Sequence, residues 1–106
     1  MYQYHTSISF ISENHPNDCY ARNAYGLLLE RQRLYKSAAE QFAVAVCNST
    51  KKEKDLVSIN LARVLVQLKK CNEAIKLCRT VTNVNYNSQC HLALALFKGN
   101  HILYYY

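Results

Sequence analysis

Tryptophan is absent from this 106-residue chain, proline occurs once and glycine twice. A sandwich or barrel of many short strands needs turn residues at each reversal, and so little Gly and Pro cannot supply them. Gly26 and Gly99 alone also exclude a glycine-rich phosphate loop. No run of 18 apolar residues occurs, so no segment is expected to span a membrane. Residues 1–18 hold no basic region followed by an apolar run, so no secretory signal is expected. Acids are scarce, seven Asp and Glu against 13 Lys and Arg, for a net charge of +6. They are scattered, which leaves paired acid–base chemistry unsupported. What is plentiful is apolar: 50% of the residues, too many for a disordered chain and well suited to long helices.

The cations fall in three groups: Arg31 and Arg33 after Glu30, Lys51, Lys52 and Lys54 around Glu53, and Lys69-Lys70. Such charge can attract nucleic acid or acidic peptides. The simpler reading is solvated loops and helix ends, where cations suit the C-terminal dipole. The five cysteines (Cys19, Cys47, Cys71, Cys78 and Cys90) are odd in number and scattered, which argues against a disulfide framework. Cys71, Cys78, Cys90 and His91 lack the close ligand pairs of structural zinc, so neither metal nor cofactor is expected. Nothing places a base such as His91 or His101 against a cysteine nucleophile, and no catalytic residue is assigned. The chain reads as a non-enzyme. Asn48-Ser49-Thr50 matches a glycosylation sequon but reads as a helix-terminal loop.

Periodicity predicts helices in pairs. Ala21, Ala24, Tyr25, Leu28 and Leu29 form one apolar stripe, and Tyr35, Ala38, Ala39, Phe42, Ala45 and Val46 a second. Leu56, Ile59, Leu61, Ala62, Leu65 and Leu68, then Ala74, Ile75, Leu77, Cys78 and Val81, repeat the scheme. Asp18 and Asp55 are placed to cap the leading helices, and Asn72 the last. Gly26 to Ala38 spans twelve residues, as does Ala62 to Ala74, and Gly26 to Ala62 spans thirty-six. Ala62 to Ala93 spans thirty-one. The mean is near the roughly 34 residues of a tetratricopeptide helix pair.

These residues resemble a tetratricopeptide repeat (TPR) protein. Tyr25-Gly26-x-x-Leu29, Leu61-Ala62-x-x-Leu65 and Leu92-Ala93-x-x-Leu96 stand for the family's Leu-Gly-x-x-Tyr block. Tyr35, Ala38, Phe42 and Ala45, then Ala74, Cys78 and Val81, match its second-helix positions, and Pro16 falls where a preceding repeat would end. The family's Trp is replaced by Arg22, Ser58 and Gln89. The run from His15 to Val46 also resembles the TPR scaffold of the superkiller complex, a helper of the cytoplasmic RNA exosome, by its whole length rather than by a motif.

The resemblance implies an all-α fold, an α-solenoid of antiparallel helix pairs. It divides residues 1–103 into the second helix of a preceding repeat (1–17), a repeat (18–50), another (54–83) and the first helix of a further one (86–100), with 104–106 as a tail. Apolar ends at Phe10, Ile11, Ile102 and Leu103 suggest a fragment of a longer array. The implied function is non-catalytic protein–protein interaction within a larger complex, in the cytoplasm or nucleus, with no membrane or small-molecule substrate. First helices line the concave groove of such an array, so Asn23, Leu27, Asn60, Arg63, His91 and Leu94 are the expected partner-binding residues. A chaperone-type carboxylate clamp is not expected, because only Asn60 fits its pattern. The alternative is a basic helical module that binds RNA directly, its cations interleaved with nine tyrosines.

Overall fold

A computed structural model describes Asn14 and residues 16–82. The expected elements at 1–13 and 83–106, including Leu92, Ala93, Leu96, His91 and Leu94, lie outside the described residues. Among the described residues the regular structure is all helical: α1 (Cys19–Arg31), α2 (Tyr35–Cys47), α3 (Lys51–Gln67) and α4 (Cys71–Arg79). Each helix packs on the next, α3 also touches α1, and α4 contacts neither α1 nor α2.

Asp18 caps α1 as its position predicts: its carboxylate accepts from the backbone N–H of Tyr20 at 2.9 Å and of Ala21 at 3.2 Å. Two other expected caps are corrected. Helix α3 starts at Lys51 rather than after Asp55, because Thr50 and Glu53 form a capping box, the Thr50 backbone N–H donating to Glu53 Oε2 at 3.4 Å. Asp55, now inside the helix, instead accepts from the Thr82 N–H (3.3 Å) and hydroxyl (3.2 Å), tying the residues after α4 to α3. Asn72 lies within α4, whose N-cap is Lys70 with no side-chain bond. Lys51, Lys52 and Lys54 are also not at a helix C-terminus: they occupy the start of α3, where the dipole opposes them.

The turns α1–α2 and α3–α4 are the same turn. Arg33 N–H bonds Glu30 C=O (2.9 Å) and Leu34 N–H bonds Leu29 C=O (3.0 Å). Thirty-six residues on, Lys69 bonds Val66 (3.0 Å) and Lys70 bonds Leu65 (2.8 Å). Both are Schellman closures, with Arg33 (φ 62°) and Lys69 (φ 61°) in the left-handed conformation that glycine usually supplies. The α2–α3 turn is built differently: Asn48 Nδ2 bonds Val44 C=O at 2.9 Å and Ser49 Oγ bonds Val46 C=O at 2.7 Å, so the sequon sits in an inter-helix turn.

Those core positions expected from the repeat pattern that fall among the described residues are buried or partly buried. Leu29, Ala38, Phe42 and Val64 form one cluster, with Tyr25, Tyr35 and Leu61 partly buried against it. Ile59, Ala62, Leu65, Ala74, Cys78 and Val81 form another, and Cys19, Ala45 and Val57 a third. A Cβ on Gly26 would lie 2.5 Å from a Phe42 ring carbon, so this glycine is what lets α1 and α2 close over the ring. Helix α3 is covered by α1, α2 and α4, which explains buried Val57 and Val64 outside its expected stripe. Leu56, expected inside, is 42% exposed.

Candidate functional site

Helices α1 and α3 run side by side in the same direction. Asn60 Nδ2 donates to Asn23 Oδ1 at 2.8 Å, and further along both helices Arg63 donates to both oxygens of Glu30, at 2.5 and 2.6 Å. The two turns described above therefore lie at one end of the molecule, and the starts of α1 and α3 at the other.

Of the expected groove residues among those described, Asn23 and Asn60 are bonded to each other and Arg63 is bonded to Glu30. Asn60 is buried and spends its amide on Asn23. Arg63 is held by a bidentate carboxylate, and Glu30, by its hydrogen bonds, raises the Arg63 pKa further above the usual arginine range. Leu27 packs partly buried against the Phe42 cluster.

What lies open is a cavity of about 260 Å³ at the starts of the same two helices. Helix α1 contributes Cys19, Tyr20 and Asn23; α3 contributes Lys52, Glu53, Leu56 and Val57. Helix phase explains the set. Tyr20 and Leu56 are thirty-six residues apart, at the same register of the two helices, and both are exposed, at 68% and 42%. Val57 and Cys19 are buried.

The Tyr20 hydroxyl engages Glu53 and holds its carboxyl below the usual range, while the same contact pushes the phenol up. Burial first, then Glu53, pushes the Cys19 thiol up to about 11. A thiol so placed is protonated at neutral pH and a poor nucleophile or metal ligand. Cys78 is also buried, Cys71 is half-buried, and Cys47 is an exposed free thiol. Among the described residues no three His, Cys, Asp or Glu side chains converge. Nor is any helix there long and apolar enough to cross a membrane.

Sequence reasoning passed over Tyr20, read Lys52 only as part of a cationic cluster, and placed Leu56 inside. The signal was present: a large apolar residue recurs at Tyr20 and Leu56 one position outside each stripe's inner face. The Asn23–Asn60 and Glu30–Arg63 pairs join residues thirty-seven and thirty-three apart, and no local rule links them. No protein-family model matches the chain, and neither a curated protein nor a solved structure matches it.

Proposed function

We propose that the chain is a non-catalytic protein-interaction scaffold of the TPR type, a short α-solenoid that holds a partner peptide or helix on the face formed by α1 and α3. One observation carries this reading. The same Schellman turn recurs thirty-six residues apart in a stack where α3 contacts α1, α2 and α4 while α4 reaches neither helix of the first pair. Parallel leading helices in successive pairs form a continuous groove, and such stacks act as extended binding surfaces. Membership of a larger complex, including an RNA-decay assembly of the superkiller kind, is the wider form of the proposal. Affinity capture with the 106-residue chain after nuclease treatment tests it. Retained protein partners support the scaffold, and co-purified exosome-associated proteins support the wider form. Loss of every partner with nuclease overturns it.

Direct RNA binding is the second reading, favoured by the exposed cations Arg31, Arg33, Lys36, Lys69 and Lys70 gathered at the turn end of both pairs. A salt-sensitive mobility shift with a labelled oligonucleotide supports it, and no shift at low salt removes it.

A further inference from the structure

We infer that the cavity at the starts of α1 and α3 is an anchor site for an acidic peptide segment of a partner protein, one large apolar side chain entering between Tyr20 and Leu56. This rests on the scaffold reading and moves the point of capture away from Asn60 and Arg63. Those two are bonded within the molecule, whereas Tyr20 and Leu56 are exposed at equivalent positions around one opening. Its volume, about 260 Å³, falls below the roughly 300–1,000 Å³ of sites that enclose whole small molecules. Buried Val57 and Cys19 supply apolar lining beneath the opening. Asn23 accepts from Asn60 through Oδ1, which leaves its Nδ2 to donate to a peptide carbonyl.

Charge selects the flanks of the segment. The Glu53 carboxylate accepts from the Thr50 N–H. Lys51, Lys52 and Lys54 are exposed, and among the described residues none of them is in an ion pair. They crowd the start of α3 against its dipole, so acidic side chains laid over them relieve an opposed charge. Glu53 also argues against a nucleic acid in the same place. A phosphodiester chain brings a negative charge with every residue and has to pass the carboxylate. A peptide sets an apolar residue over it and its acids to one side.

Titration of the isotope-labelled 106-residue chain, followed by NMR, tests the site with four probes. These are a short Asp/Glu peptide with a central leucine, the same peptide with alanine at the centre, the same peptide with lysines for its acids, and oligouridylate. The leucine peptide should shift the amides of Tyr20, Asn23 and Leu56. The alanine peptide should bind about tenfold more weakly, and the lysine peptide more weakly still. Tyr20→Ser and Lys52→Glu should each weaken the leucine peptide with helical circular dichroism unchanged, and Lys52→Glu should improve the lysine peptide. Equal binding of leucine and alanine peptides, shifts confined to other residues, or equal shifts of the same amides by oligouridylate overturn the inference. In nuclease-treated affinity capture, partners that survive both variants overturn the anchor site and leave the scaffold standing. Loss of all protein capture from the unmodified chain fails the scaffold itself.

Discussion

The pair α1–α2 and the pair α3–α4 close with the same turn but fill their interiors in opposite ways. In the first, a glycine and a phenylalanine meet: Gly26 yields the space that the Phe42 ring takes. Thirty-six residues on, Ala62 and Cys78 stand in their places within one cluster, one side chain larger and the other smaller. The first pair begins at a side-chain cap on Asp18; the second begins with an added turn, Lys51–Lys54, under a capping box. At the register of Arg22 and Ser58 the pairs diverge again. Arg22 is bonded to Pro16 C=O (3.1 Å) and Gln41 Oε1 (2.8 Å), while the buried Ser58 hydroxyl has no partner. Helix pairs of this kind therefore hold the backbone constant and trade volume across the contact.

The largest expected difference follows from the ring. Phe42→Ala should cost about 3–5 kcal/mol, enough to abolish a cooperative transition in a small domain, whereas Cys78→Ala should cost about 1 kcal/mol. Urea denaturation followed by circular dichroism compares them, and equal losses would break the contrast. Gly26→Ala should cost about 1–3 kcal/mol by driving a methyl into the ring. Combined with Phe42→Cys, which rebuilds the first contact as the second, it should show a favourable coupling of about 0.5–3 kcal/mol. Strict additivity would mean that the two positions do not trade volume. Ser58→Ala should stabilise by about 1 kcal/mol, since it removes a buried hydroxyl that no bond compensates. A loss of midpoint would instead reveal a partner for that oxygen. Arg33→Gly and Lys69→Gly should each stabilise by about 0.5 kcal/mol, relieving the left-handed backbone at the expense of unfolded-state entropy. Unequal gains would show that the two turns differ in more than sequence.

The helices of the described residues were largely legible in the chain, and the reason is local. Asp18 announces its cap, small residues at Gly26, Ala38, Ala62 and Ala74 mark close approaches, and the stripes around Phe42 and Leu65 carry helical spacing. The start of α3 was legible in principle, since Thr50-x-x-Glu53 is a capping signature. Three lysines around it drew the reading towards a loop. Val57 and Val64 escaped because one stripe describes a helix covered on one side, and α3 is covered by three neighbours. The site was less legible. Asn23, Asn60 and Arg63 were found as residues facing a shared surface. That Asn23 satisfies Asn60 and Glu30 satisfies Arg63 is a tertiary fact, decided by the registry of α1 against α3.

The bonds from Thr82 to Asp55 fasten the end of the second helix pair back onto α3. Thr82 is moored to α3 at Asp55, the residue before Leu56 at the cavity mouth. The threonine's hold on Asp55 thus anchors the end of the second helix pair beside the residues that line the opening.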